Sequence, residues 1–283
     1  MKHFHLIVNR SRDADLRTTH EVEEVLSGAG CVFTTHIISG GSGAGAGAPG
    51  NDDHGISDDT ECILVIGGDG TFIKAACDLC DRDIPLLGIN TGHLGYLTDV
   101  EKDNIKPSLL ALVDDRYHED ERMMIEGSIK GDDAAVSSGR ALNDIVIRRE
   151  RDMKVTGFDL FVNGRFLKSY RADGIIVSTP TGSTAYSLSA GGPIVEPDTK
   201  LFIITPICPH TLNTRSVVLS AEDEIYIRTD DDGTSVAFDG RIGSDLPAKG
   251  GITITKSEKV TRIIRIRDDS FLNVLHNKFM DTV

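Results

Sequence analysis

Apolar positions in the first part of the chain fall in short unbroken runs, separated by polar stretches of helix length. HFHLIV at 3–8 reads as a strand, 13–26 as a polar helix and CVFTTHII at 31–38 as a second strand. The run CILVI at 62–66, a helix from about Thr71, the strand PLLGI at 85–89 and a helix near 105–113 continue the alternation. Wholly apolar strands alternating with helices predict a parallel sheet covered on both faces. The first domain, 1–118, is therefore expected to be α/β with a Rossmann-like parallel sheet.

After about residue 118 the pattern changes. FDLFV and RFLKSY flank the Asn163-Gly164 pair, a strong local hairpin signal. Further strands are expected at 173–178, 201–205, 224–229, 235–239, 251–255 and 260–267, separated by turn residues. Such spacing predicts a mainly β, sandwich-like domain over 119–267. The last segment, 268–283, returns to helical spacing, with Phe271, Leu272, Leu275 and Phe279 on one face, and is expected to pack on the first domain.

Residues 39–60, SGGSGAGAGAPGNDDHGISDDT, interrupt the first domain with a flexible low-complexity insert. Gly45, Gly47 and Gly50 satisfy GxGxxG, but the sequence behind them has no helical periodicity, so a dinucleotide fingerprint is rejected. A loop, or a lid, is the reading.

Composition narrows the function classes. The 30 basic and 44 acidic residues give a net charge of −14, which disfavours nucleic acid and anionic membranes as partners. No apolar window has transmembrane length, and the chain opens on a strand rather than a charged-then-apolar leader. Five irregularly spaced cysteines are a poor disulfide framework. A cytoplasmic location is expected. Cys77 and Cys80 form a CxxC, read as small apolar residues of a helix because no second metal-ligand pair accompanies it.

Candidate chemistry centres on LVIGGDGTFIKAA at 64–76. The segment lacks the GxxxxGK[ST] spacing and the lysine of a Walker loop. Its glycines allow close backbone approach, and the following helix offers free N–H groups to phosphate. An acid among them makes sense where a neighbouring hydroxyl must lose its proton. There Asp69 would orient that hydroxyl and accept the proton, a contribution of roughly 10²–10⁴-fold in rate. The other reading is that Asp69 caps the helix; the motif alone leaves the two balanced. NTGHLGYL at 90–97 follows another strand, so it too lies at a sheet's carboxyl end, where α/β ligands gather. Asn143-Asp144, at a strand start, is a turn or a ligand contact. DGIIVSTPTGSTAYSLSAGGP at 173–193 is a strand, a hydroxyl-rich loop and a short helix, with Tyr186 available for stacking.

Taken together, GGDGT at 67–71, NTGHLGYL, Asn143-Asp144, RADG at 171–174, TPTGSTAYSLSAGGP at 179–193, PICPHTLNTRSVV at 206–218 and AFDGR at 237–241 resemble the bacterial NAD kinase family. The matching pieces cover most of the chain, and TGSTAYSLSAGGP is the specific one. The resemblance implies transfer of the γ-phosphoryl of ATP to the 2′-hydroxyl of the adenosine ribose of NAD, giving NADP. It implies a site between an α/β and a β domain, Mg²⁺ or another divalent cation arriving with ATP, no dedicated protein metal site, and a homodimer or homotetramer.

By the family's pattern Asp69 is the base. Gly67, Gly68, Gly70 and Thr71 would bind the ATP phosphates, with Gly70 also against the dinucleotide. Asn143, Asp144, Asp173, Thr184, Ala185, Tyr186, Ser187, Leu188 and Ser189 would line the NAD site. Tyr96, Lys154 and Cys208 would border it, and Arg171 and Arg241 would contact phosphate. His210 is read as structural. Two departures stand out: Asn-Asp in place of Asn-Glu, and the length of the insert. The competing readings are a lipid kinase of the diacylglycerol type, which shares GGDGT, and a non-catalytic dinucleotide sensor, which would have no use for a base.

Overall fold

The computed structural model describes residues 1–38, 55–92, 95–130, 135–150, 155–211, 214–229, 231, 233–247, 250–267 and 271–280. In chain order the elements begin with β1 (His3–Asn9), α1 (Arg17–Gly28), β2 (Val32–Ile38), β3 (Cys62–Gly67), α2 (Asp69–Asp78), β4 (Leu86–Asn90) and α3 (Ile105–Val113). Then come β5 (His118–Lys130), β6 (Ala135–Ala141), β7 (Asp144–Arg149), β8 (Thr156–Val162), β9 (Arg165–Ala172), β10 (Gly174–Ser178) and α4 (Tyr186–Ser189). The chain closes with β11 (Leu201–Ile207), β12 (Val217–Ser220), β13 (Ile225–Thr229), β14 (Thr234–Phe238), β15 (Arg241–Leu246), β16 (Gly251–Arg265) and α5 (Phe271–Met280). Two compact units result. Of the described residues, the first holds those in 1–38, 55–121 and 261–280; the second holds those in 122–260.

The first unit is an α/β sheet of parallel strands in the order β2-β1-β3-β4, continued by the end of β16, where Ile263 pairs in parallel with Leu86. Strand β3 is buried at every position, because it lies inside the sheet with both faces covered. Strand β2, at the edge, is largely exposed. Leu6, Val8, Leu64, Ile66, Leu87 and Ile89 from the strands meet Val22, Leu26, Leu109 and Leu112 from α1 and α3. The neighbours of β1 are β2 on one side and β3 on the other, so the connections diverge from the carboxyl ends of β1 and β3. Such a switch point opens a crevice for ligands. Asn9, ending β1, donates from Nδ2 to Thr71 Oγ at 2.8 Å across it.

The second unit is β-rich. An antiparallel sheet in the order β12-β11-β10-β7-β14-β15 supplies Ile145, Ile147, Ile175, Val177, Phe202, Ile204 and Phe238 to a single core. Ile125, Phe158, Leu160, Ile225, Ile227, Ile252 and Ile254, from β5, β8, β13 and β16, complete it from the facing side. This is the sandwich arrangement the alternating pattern predicts. Asn163 and Gly164, at φ 50° and 73°, make the tight turn between β8 and β9.

Several expectations shift. Strands β5, β6, β12 and β15 have no sequence counterpart, since HEDERMM, AVSSGRA and RIGSDL lack clean alternation. The expected break at 256–259 is absent: β16 runs unbroken from Gly251 to Arg265. Helix α1 begins at Arg17, because Asp13 folds back and accepts from the amides of Thr18 and Thr19 at 3.2 and 2.9 Å. On α5, Leu272 and Phe279 are exposed, and the less exposed side is Phe271, Val274, Leu275 and Lys278. Most of the 39–60 insert, with the GxGxxG match, lies outside the described residues. Among the described residues no helix is long and apolar enough to cross a membrane.

Candidate active site

Strand β3 ends in Gly67, and helix α2 starts one residue after Gly68. Gly68 is the N-cap, so Asp69 occupies the first helical position and does not cap the helix. Its carboxylate turns instead to the loop after β4. Tyr96 donates its backbone N–H to Asp69 Oδ2 at 2.8 Å. The N–H groups of Leu97 and Thr98 donate to Oδ1 at 3.3 and 3.4 Å, and the Thr98 hydroxyl donates to Oδ1 at 3.4 Å. Three successive amides thus fix one carboxylate, in the region where the positive end of α2 already favours an anion.

The contact requires glycine at 95. A Cβ there would overlap Oδ1 and lie 2.5 Å from Asp69 Cγ. A carboxylate has about four acceptor positions. Among the described residues three donors crowd Oδ1 and one occupies Oδ2, leaving on Oδ2 a lone pair for a hydroxyl. Oδ2 is accordingly the atom suited to take a proton from a substrate alcohol.

Other predicted residues of this unit lie nearby. Gly67, Gly68, Gly70 and Thr71 form the turn and first residues of α2, with the Thr71 hydroxyl accepting from Asn9. Tyr96 contributes its amide to Asp69, and the Lys278 ammonium of α5 sits 4.8 Å from its ring centroid, a cation–π contact. Burial, then the charge of Asp69, raises the Tyr96 hydroxyl above its ordinary pKa.

In the second unit the predicted residues form two groups. The first surrounds the Asn143-Asp144 turn. Thr179 donates its N–H to Asn143 O at 2.8 Å and its hydroxyl to Leu142 O at 2.6 Å. Gly182 lies so close to the carbonyl of Asn143 that a Cβ would collide with it. This seats the helical turn 181–184 and α4 beside the acidic turn. Thr184 bonds back to Thr181 O, while Tyr186, Leu188 and Ser189 are exposed. Ala185 is half-buried between the two turns. Ser187 points inward, fully buried, its hydroxyl 3.2 Å from that of Thr205.

Asp239 holds this group together, and the sequence did not single it out as a site residue. Its Oδ2 accepts from Leu142 N at 2.7 Å, and its Oδ1 accepts from Asn143 N and Asp144 N at 2.8 and 3.0 Å. It sits at φ 48°, just after β14. The AFDGR turn was the available signal. Arg241 follows two residues on and is half-buried. Asp144 itself is buried, and burial followed by the charge of Asp239 pushes its carboxyl up to about 7. A carboxyl so placed suits a hydroxyl better than a phosphate.

The second group lies at the other end of β10. Asp173 pairs with Arg149 at 2.8 Å and donates its N–H to Ile207 O at 2.9 Å. Arg171 is exposed and accepts on its carbonyl from His210 N at 2.8 Å; exposed Cys208 adopts φ 44°. From Asp173 to Thr179 is six residues of extended chain, roughly 20 Å, so the two groups lie at opposite ends of β10. Lys154 lies outside the described residues.

An open α/β unit carries a clamped carboxylate at its switch point, and a β-sandwich unit follows it along the chain. Comparison with known proteins gives the family. Residues 53–117 match the ATP-NAD kinase N-terminal domain and residues 142–266 the ATP-NAD kinase C-terminal domain. The chain is 40% identical to the NAD kinase of Lachnospira eligens, over 98% of this chain and 100% of that one. It is 39% identical to the NAD kinase of Lachnoclostridium phytofermentans, over 99% and 100%. Among solved structures, an NAD kinase from Archaeoglobus fulgidus in complex with ATP aligns at TM-score 0.76 and 27% identity, over 97% of this chain and 98% of that one. Yeast NADH kinase complexed with NADH shares the fold at TM-score 0.79 and 24% identity, over 99% and 88%. The chain belongs to the ATP-NAD kinase family.

Proposed function

We propose that the protein transfers the γ-phosphoryl group of MgATP to the 2′-hydroxyl of the adenosine ribose of NAD, forming NADP, with Asp69 as the general base. The observation that carries the reading is the clamped carboxylate. Three amides and a hydroxyl fix Asp69 beside a glycine turn that opens a helix.

Phosphoryl transfer is catalysed mainly by positioning and charge neutralisation. The amides at the start of α2, with Gly67, Gly68, Gly70 and Thr71, lie where a phosphate chain would meet the positive end of the helix. Oδ2 accepts the ribose proton as the oxygen attacks phosphorus, and ADP leaves with the bridging oxygen. Mg²⁺ would enter with ATP as part of the substrate and supply positive charge to the phosphates. In the second unit, Asn143 and Asp144 meet ribose hydroxyls, and the exposed ring of Tyr186 stacks on a base. The five cysteines carry no disulfide, which agrees with work in the cytoplasm; family likeness favours a homodimer or homotetramer.

The test is a coupled NADP assay with purified protein, MgATP and NAD, run beside diacylglycerol as acceptor. NADP formation is the expected result. Transfer from ATP to the lipid alone would overturn the reading in favour of a lipid kinase, and binding of NAD without any transfer would make the protein a sensor.

A further inference from the structure

The same short loop that clamps Asp69 is gripped from behind. Arg265, near the end of β16, is nearly buried. It donates from Nη2 to Tyr96 O at 3.2 Å and from Nη1 to Leu97 O at 3.4 Å. The Tyr96 carbonyl belongs to the peptide group whose N–H is that of Leu97. The Leu97 carbonyl belongs to the peptide group whose N–H is that of Thr98. Those two N–H groups converge on Asp69 Oδ1. One guanidinium therefore sits on the oxygen ends of two peptide dipoles whose hydrogen ends hold the carboxylate.

We infer that Arg265 is a positioning residue for the reaction: it polarises and aligns the peptide groups Tyr96–Leu97 and Leu97–Thr98, and through them fixes Asp69. The inference rests on the proposed role of Asp69 as base. Hydrogen bonds in series strengthen one another, and a charge at one end of the chain adds to the effect. The planar fork of arginine presents two nitrogens in fixed geometry to two successive carbonyls, whereas a lysine ammonium offers its donors from one atom on a flexible stem.

The arginine is itself held. Nε donates to Asp120 at 3.2 Å, and Nη1 lies 3.6 Å from Asp99. Asp99 in turn accepts from the amides of Ile266 and Arg267 at 2.9 and 3.3 Å. Strand β16 is thereby tied to the loop after β4, and the tie ends on the catalytic carboxylate. Charge balance alone does not require this geometry, because either acidic neighbour would satisfy an arginine without the two carbonyls.

The experiment compares wild type, Arg265→Lys, Arg265→Gln, Asp69→Asn and the two double variants, with thermal melting to confirm folding. Arg265→Lys keeps the charge beside Asp99 and Asp120, and Arg265→Gln keeps an amide donor, so each tests the site if the other fails to fold. The expected result is a fall in kcat of tenfold or more, with KM for NAD and for ATP within about threefold of wild type. In the Asp69→Asn background the same substitutions are expected to lower kcat less than threefold, because the group they position is already gone. Wild-type kcat in a folded Arg265 variant overturns the inference alone, and so does an equal loss in both backgrounds, which marks a general structural role. Wild-type turnover in Asp69→Asn overturns the general-base reading, and the inference with it.

Discussion

Gly95 and Asp69 occupy one another's space: the carboxylate fills the volume in which any side chain at 95 would begin. Gly95→Ala must push Asp69 off the amides of Tyr96, Leu97 and Thr98 or displace the loop that carries them. Turnover is expected to fall at least tenfold. Gly92→Ala, whose Cβ among the described residues would meet only Asn90 Oδ1 at 3.9 Å, is expected to change it less than threefold. Steady-state kinetics on the two variants checks this, and equal losses would contradict it.

The Asp144 carboxyl titrates at about 7 in the folded protein, against an ordinary 3.8. The folded state therefore binds a proton that the unfolded chain releases, and this stability is lost as pH rises from about 4 to about 7. The full difference is at most about 4 kcal/mol. Asp144→Asn carries no charge to bury, so its melting temperature relative to wild type is expected to rise between pH 5 and pH 8. An unchanged difference across that interval would show that the carboxyl is not held protonated by the fold.

Asp239 accepts three backbone N–H bonds from residues 142–144. Removing the acceptor leaves part-buried amides unpaired, at about 1–3 kcal/mol. Asp239→Ala is expected to lower the denaturation midpoint accordingly and to weaken NAD binding by loosening the Asn143-Asp144 turn. Chemical denaturation with calorimetric titration of NAD measures both, and a wild-type NAD affinity would detach the turn from the ligand.

Tyr186 is 39% exposed on α4, beside the turn that Asp239 organises. Loss of stacking in Tyr186→Ala is expected to weaken NAD binding by roughly 0.5–1.5 kcal/mol. An unchanged dissociation constant would remove the ring from the pocket.

What the sequence made legible was local. The apolar runs around β1, β3 and β4 announce buried parallel strands, and Asn163-Gly164 announces its hairpin. GGDGT marks the turn where the carboxylate sits. What it left dark depends on contacts between distant segments. Nothing near Asp239 reveals that its carboxylate will hold residues almost a hundred positions earlier, and nothing in β16 reveals that Arg265 will reach the loop after β4. The balance between cap and base at Asp69 is of the same kind. A cap is satisfied within its own helix, whereas Asp69 is satisfied by amides 27 to 29 residues away. The strands missed in the second unit, β6 and β15 among them, are polar or irregular and take their conformation from partners in the sheet.

The most direct test is the turnover of Asp69→Asn, with NAD binding measured on the same preparation. Asparagine keeps one carbonyl acceptor and the size of the side chain, sets an NH2 in place of the other oxygen, and cannot take a proton from the ribose hydroxyl. The account predicts NAD affinity close to wild type and a kcat lower by about 10²-fold or more. Near-normal NADP formation by the asparagine variant would contradict it.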